Sequence, residues 1–85
     1  MGELLKSILD FDEAVKLDDK NPIIYSNRGL VNRKLERYDK AIEDYTNEIA
    51  HTANGDSFKA YNNRAYCLAK LARYADAIQD YSTVI

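Results

Sequence analysis

Tryptophan is absent from this 85-residue chain, proline and cysteine occur once each, and glycine occurs three times. A lone cysteine, Cys67, has no internal disulfide partner, and a reducing compartment is the simple reading. So little proline and glycine excludes the frequent tight turns of a strand-rich fold and favours helices. No stretch approaches the roughly 20 apolar residues a bilayer span requires. The N-terminus, Met1-Gly2-Glu3-Leu4-Leu5-Lys6, lacks the apolar centre of a signal peptide. The expected localisation is therefore cytoplasmic, with no membrane partner. Positive charge is also short: the net charge is −2 and the isoelectric point about 5.3. That is a poor footprint for neutralising phosphates, so no nucleic-acid partner is expected. The single histidine, His51, has no second histidine or cysteine at metal-ligand spacing. Gly-rich phosphate loops, Ser/His/Asp sets and paired catalytic carboxylates are missing too. The expectation is a non-enzyme without catalytic residues, metal or cofactor.

What the chain has in excess is tyrosine, seven copies, and an internal echo. Tyr25-Ser26-Asn27-Arg28-Gly29 aligns with Tyr61-Asn62-Asn63-Arg64-Ala65. At the same offset, Lys34-Leu35 meets Lys70-Leu71, Arg37-Tyr38 meets Arg73-Tyr74, and Ala41-Ile42 meets Ala77-Ile78. Asp44-Tyr45 then meets Asp80-Tyr81, and Ile49 meets Ile85. The spacing is constant at 61 − 25 = 36 residues. Such a period marks a repeat built from one supersecondary unit.

Each copy reads as two helices. Tyr25, Gly29, Asn32 and Leu35 form one stripe, repeated as Tyr61, Ala65, Leu68 and Leu71. Tyr38, Ala41, Ile42, Tyr45 and Ile49 form a second, repeated as Tyr74, Ala77, Ile78, Tyr81 and Ile85. Asn21-Pro22 is a helix start, a capping side chain followed by proline where its missing N–H costs nothing. Asn54-Gly55-Asp56-Ser57 reads as a loop whose last residues cap the next helix. Earlier in the chain, Ile8, Phe11, Ala14 and Val15 match Ile42, Tyr45, Glu48 and Ile49 as one more second helix. The pattern predicts helices near 3–18, 22–36, 38–51, 57–72 and 74–85. It also predicts three units: 1–21, the second helix of an incomplete copy plus linker; 22–56, a full copy; and 57–85, a copy cut short at its C-terminus.

The series Tyr25/Gly29/Tyr38/Ala41/Tyr45, repeated as Tyr61/Ala65/Tyr74/Ala77/Tyr81, resembles the tetratricopeptide repeat (TPR) family over essentially the whole chain. The resemblance implies an all-α fold, a right-handed superhelical solenoid of antiparallel helix pairs. It departs from the family pattern at the His51–Asp56 junction, which has two extra residues. Asn32 replaces an aromatic or aliphatic residue, and Glu48 a small one. The resemblance further implies a concave face lined by the first helix of each repeat. Helix geometry then selects Ile23, Ser26, Asn27, Leu30, Arg33 and Lys34 from one copy. From the next it selects Lys59, Asn62, Asn63, Tyr66, Ala69 and Lys70.

Asn27 and Asn63 share a slot, and an amide offers both donor and acceptor to a peptide backbone. They resemble the asparagine ladder of the O-GlcNAc transferase superhelix, and Lys59 resembles a lysine of the dicarboxylate clamp of TPR co-chaperones. Asn63 replaces that clamp's arginine, so backbone holding is carried over and carboxylate capture is not. The expected peptide-binding residues are Asn27, Asn63, Lys59, Arg33, Lys34, Tyr66, Lys70 and Asn62. The first helices hold Arg28, Arg33, Lys34, Lys59, Arg64 and Lys70 against Glu36, and the second helices reverse the balance. The expected ligand is thus an extended acidic segment of a protein partner.

Blander readings stand beside these. Arg28 and Arg64 point either to the groove or to acids on the second helices, and Asn27 and Asn63 either hold ligand or bridge helices. The tyrosines, Tyr66 apart, read as core; His51 reads as a solvated helix C-terminal residue and Cys67 as a small apolar group. A scaffold segment that uses repeat ends or the convex face is the alternative function. Leu4, Leu5, Ile8 and Phe11 at one end, and Tyr81, Val84 and Ile85 at the other, predict a piece of a longer array. They also predict self-association through uncapped repeat ends.

Overall fold

The computed structural model describes residues 2–52 and 57–84. Its elements are α1 (Gly2–Leu17), α2 (Pro22–Lys34), α3 (Tyr38–His51), α4 (Phe58–Lys70) and α5 (Tyr74–Val84). No strand occurs among the described residues. The predicted Asn54-Gly55-Asp56 turn and the C-terminal Ile85 lie outside the described residues.

The ends of α2 and α4 show why both stop two residues short of the predicted ends at 36 and 72. Glu36 and Ala72 take left-handed backbone angles, φ 60° and 61°. Behind each, the chain closes the same pair of hydrogen bonds. Glu36 N–H donates to Arg33 O and Arg37 N–H to Asn32 O; Ala72 N–H donates to Ala69 O and Arg73 N–H to Leu68 O. This is a Schellman closure, which glycine normally serves because it has no Cβ to strain. At the other end of α2, Asn21 Oδ1 accepts from Ile23 N–H at 3.0 Å with Pro22 following, as expected. Ser57, expected to cap α4, makes no side-chain capping bond; it lies buried at 5% exposure.

Each helix packs chiefly on its neighbours in the chain, α1 on α2, α2 on α3, α3 on α4 and α4 on α5. The Cα envelope is a slab of 33 × 30 × 13 Å. Small residues sit where backbones meet: Ala41 and Ala65 are fully buried, Ala77 is 3% exposed, and Gly29 is buried. Tyr45 fills the centre at 0% exposure, packed with Ala41 and Cys67, and Tyr38 and Ile42 lean on that cluster. Tyr25 is 6% exposed, and its hydroxyl donates to Asp19 O at 2.6 Å, tying down the α1–α2 connection.

Two expectations about the core need correction. Tyr74 and Ile78 are 63% exposed and Tyr81 is 38% exposed, although their counterparts Tyr38, Ile42 and Tyr45 are half-buried or buried. Helix α3 is flanked by α2 and α4, whereas α5 packs chiefly on α4. His51 is not a solvated cap: half-buried, it stacks on Tyr25 with ring centroids 5.8 Å apart and planes 18° from parallel.

Asn32, placed by the echo where the second copy has Leu68, is buried at 3% exposure. It is tolerated there because Asn32 Nδ2 donates to Asp44 Oδ2 at 2.8 Å. Unpaired burial of an amide would cost about 1–3 kcal/mol.

Candidate functional site

The eight expected peptide-binding residues all lie on α2 and α4. Asn27, Lys34, Lys59, Asn62 and Lys70 are exposed, and Arg33 and Asn63 are half-buried. Tyr66 is 41% exposed, and apolar neighbours Ile23 and Leu30 are 68% and 37% exposed on the same face of α2. A face that mixes open amides, cations and aliphatic side chains suits an extended polypeptide better than a compact small molecule.

Four of the eight are brought together. Arg33 Nη1 donates to Asn63 Oδ1 at 3.2 Å, joining α2 to α4. The Arg33 guanidinium lies 5.4 Å from the Tyr66 ring centroid, and Lys70 Nζ lies 5.4 Å from the same centroid. Tyr38 meets Tyr66 edge-on at 6.4 Å. A cation over an aromatic ring is held in place while its charge remains available. The remaining four, Asn27, Lys34, Lys59 and Asn62, stand apart on the open surface. Asn63 thus bridges the helices through its carbonyl oxygen, and its amide N–H groups make no hydrogen bond among the described residues.

Charge on this face is sorted by pairing. Arg28 bonds Asp44 Oδ1 through Nε at 2.9 Å and Asp12 Oδ1 through Nη1 at 3.0 Å. Arg64 grips Asp80 in a two-pronged bond, Nε to Oδ2 at 2.7 Å and Nη2 to Oδ1 at 2.8 Å. The structure therefore chooses the acid-pairing alternative for both arginines and removes them from the basic wall. Burial pulls Arg28 down, but its hydrogen bonds and the charges of Asp44 and Asp12 leave it above the usual arginine value. The Asp80 hydrogen bond raises Arg64 against the opposing pull of burial. Burial raises the Asp44 carboxyl despite Arg28 and Asn32. By contrast, Arg33, Lys34, Lys59 and Lys70 have no carboxylate within 4.0 Å among the described residues.

One end of the face is acidic instead. Pro22, Ile23, Ser26, Glu48 and Thr52 line an open hollow of about 250 Å³. Burial raises the Glu48 carboxyl, and its Oε1 has no hydrogen-bond partner. Beneath the face, Cys67 is fully buried, and burial pushes its thiol up to about 11, which suits an apolar filler rather than a nucleophile. Among the described residues no cluster of three histidine, cysteine or acidic side chains is placed to hold a metal. No described helix is long and apolar enough to cross a membrane.

Comparison with known proteins agrees with the helical pairing. The family model described as tetratricopeptide repeat matches residues 1–57 and again residues 28–85. The chain belongs to the tetratricopeptide repeat family. Human tetratricopeptide repeat protein 28 is 40% identical over 43 residues, which is 51% of this TPR chain and 2% of that protein. The chain therefore spans a small part of that relative's length. Among solved structures, the second TPR of Spaghetti (RPAP3) bound to the HSP90 peptide SRMEEVD superimposes with a TM-score of 0.87 at 26% identity. The match covers 98% of this chain and 75% of that one. An all-α TPR helical repeat is thus the fold.

Proposed function

We propose that this TPR segment is a protein-interaction module whose α2–α4 face holds an extended acidic segment of a partner protein. The observation that carries the reading is the division of labour among cations. Arg28 and Arg64 are bound to Asp44 and Asp80, while Arg33, Lys34, Lys59 and Lys70 keep their charge on the open face. Asn27 and the amide of Asn63 hold the peptide backbone, and Tyr66 supplies an apolar wall. The likeness to a TPR domain bound to an acid-rich peptide is consistent with this. The division into units 1–21, 22–56 and 57–85 belongs to the same reading, with the groove formed by the first helices of the last two.

The test is fluorescence anisotropy with labelled SRMEEVD and a version with lysine at its acidic positions, at low and high salt. The acidic peptide should bind better, and the preference should shrink as salt screens it. Asn27→Ala with Asn63→Ala should weaken both peptides, whereas Lys59→Glu with Lys70→Glu should reverse the preference. Equal affinity for both peptides at low salt would sink the charge assignment.

A second reading, a scaffold segment, is favoured by the exposed Tyr74, Ile78 and Tyr81 on α5 and by Leu9 and Leu17 of α1, 66% and 88% exposed. Sedimentation separates the two. A species that self-associates with rising concentration and is unaffected by the asparagine pair is a scaffold; a sharply monomeric one is not.

A further inference from the structure

One carboxylate stands apart from the cations of the α2–α4 face. The open hollow at the N-terminal end of α2 is lined by Pro22, Ile23, Ser26, Glu48 and Thr52, and of these Glu48 alone is charged. No lysine or arginine among the described residues comes within 4.0 Å of that carboxyl. Burial raises it, and the opposing influence is the neutral hydroxyl of Ser26, another lining residue. The Thr52 hydroxyl is committed to the Glu48 backbone oxygen. Glu48 and Ser26 are half-buried rather than sealed, so a group entering the hollow meets them.

The packing does not require an acid there. At the echo offset the second copy places Phe58, Lys59, Asn62 and Val84 where the first has Pro22, Ile23, Ser26 and Glu48. The charge is inverted: a cation stands in the Ile23 slot and an aliphatic side chain in the Glu48 slot. A partly desolvated carboxylate without a cation is unfavourable until something supplies one. The apolar part of the hollow suits the group that would do so. Pro22 and Ile23, the latter 68% exposed, share the lining with the carboxyl. Lysine and arginine side chains have the same division, an aliphatic stem that lies on apolar surface and a charged head that seeks an acceptor. At about 250 Å³ the hollow is smaller than the roughly 300–1,000 Å³ of a small-molecule pocket, so it takes one side chain. Its place also sets a spacing. Ser26 and Arg33 share the groove side of α2, seven residues apart (33 − 26), which is about 10 Å along a helix. An extended chain covers that distance in about three residues.

We propose that this hollow is a cation subsite of the groove, receiving a lysine or arginine side chain of the bound segment about three residues from the acids held near Arg33 and Lys70. The inference rests on the reading of the α2–α4 face as a peptide groove. It turns a preference for negative charge into recognition of a mixed motif, an acidic cluster with one cation at a fixed distance. It also gives the segment one direction along α2.

The experiment is fluorescence anisotropy of the whole chain with labelled peptides blocked at both ends. Each carries two adjacent glutamates among alanines. A lysine, an arginine or a norleucine stands three residues before the pair in one set and three residues after it in the other. Versions with glutamines in place of the pair test the groove itself. The sign of the effect is diagnostic. Arg33, Lys34, Lys59 and Lys70 are the unpaired charges of the groove residues, so an added cation should weaken binding unless an acid receives it. In one set and not the other, lysine or arginine should bind about tenfold tighter than norleucine at low salt. The tighter of the two cations identifies the side chain. Glu48→Gln, and Glu48→Val with the second copy's residue, should abolish that gain in folded protein while the preference for glutamates over glutamines persists. If glutamate and glutamine peptides bind alike while lysine still gains through Glu48, the subsite stands and the acidic groove falls. If glutamates are preferred but norleucine matches the cations in both sets, or the gain survives Glu48→Gln, the subsite falls and the groove stands.

Discussion

Replacing Gly29 with alanine adds one methyl group at the closest approach of α2 and α3, and its cost can be worked from the geometry. A Cβ on Gly29 would stand 2.9 Å from Tyr45 Cε1, 3.2 Å from Tyr45 Cδ1 and 3.2 Å from Asp44 Cβ. Carbon pairs are comfortable at about 3.5–4.0 Å. The ring is 0% exposed and packed with Ala41 and Cys67, so it has nowhere to retreat without moving a full layer. Overpacking of that kind costs about 1–3 kcal/mol. Against it stands the gain of replacing glycine inside a helix, about 1 kcal/mol. The net expectation is a loss of about 1 kcal/mol. For a chain of this size, with a urea slope on the order of 1 kcal/mol per molar, the unfolding midpoint should fall by about 1 M. The equivalent residue is already alanine, Ala65, and the tyrosine facing its slot by the echo, Tyr81, is 38% exposed and free to lean away. The decisive control is Gly29→Ala in a Tyr45→Leu background. There both ring contacts are gone and the 3.2 Å approach to Asp44 Cβ remains, so the same substitution should cost clearly less than in the parent. If Gly29→Ala alone leaves the protein as stable as before, the ring has slack and close approach is not what requires glycine there.

Three other outcomes follow from the same coordinates. Glu36→Gly and Ala72→Gly should each raise stability by about 1 kcal/mol in thermal melts, because both positions hold left-handed angles that strain any Cβ. Arg28→Met should lower stability by about 3 kcal/mol, since it leaves the Asp44 carboxylate, 2% exposed, with Asn32 as its remaining partner. Adding Asp44→Leu together with Asn32→Leu, which also removes the buried amide that Asp44 satisfies, should recover much of that loss in a denaturation series. For Glu48, burial raises the folded-state value above the ordinary 4.5, so the folded chain holds its proton longer than the unfolded chain does. Stability should therefore fall as pH climbs from about 4.5 through the raised value and then level off. Glu48→Gln should flatten that part of the profile, leaving the slope in the same direction that Asp44 contributes. A Glu48→Gln profile as steep as the parent's would assign the slope elsewhere.

The helices were legible because two periods agree. The stripes predict α3 at 38–51, and it spans Tyr38–His51; they predict α4 at 57–72, and it spans Phe58–Lys70. The shortfall at the C-terminal ends was not legible, because Leu35 and Leu71 continue the apolar stripe while Glu36 and Ala72, neither of them glycine, reverse the backbone. His51 was misjudged for a related reason. Its partner Tyr25 belongs to another helix 26 residues away (51 − 25), and periodicity within one helix carries no information about stacking between two. Arg28 and Arg64 were legible as alternatives only. Both destinations lie on helical faces the sequence defines, and the choice depended on whether a second-helix aspartate came within 3 Å.

Self-comparison also marks where chemistry departs from architecture. Positions that echo, such as Ala41/Ala77 and Asp44/Asp80, are buried in both copies and serve the packing. Positions that fail to echo are those where one copy is free to do something the other is not. Asn32 against Leu68 changes a buried apolar contact into an amide with an empty acceptor, and Lys40 against Asp76 turns a paired arginine into an unpaired one. The first change leaves Asn32 Oδ1 without a partner while Asn32 Nδ2 bonds the buried Asp44 Oδ2 at 2.8 Å, and the second leaves Arg37 without the aspartate that Arg73 has. Replacing both by the residues of the second copy removes the unmet acceptor and gives Arg37 a carboxylate, at the loss of the Asn32–Asp44 bond. The stability of Asn32→Leu combined with Lys40→Asp is therefore informative whatever binds. If the double variant is more stable than the parent, the unmet acceptor and the unpaired Arg37 outweigh the Asn32–Asp44 bond; if it is less stable, that bond is what the first copy relies on.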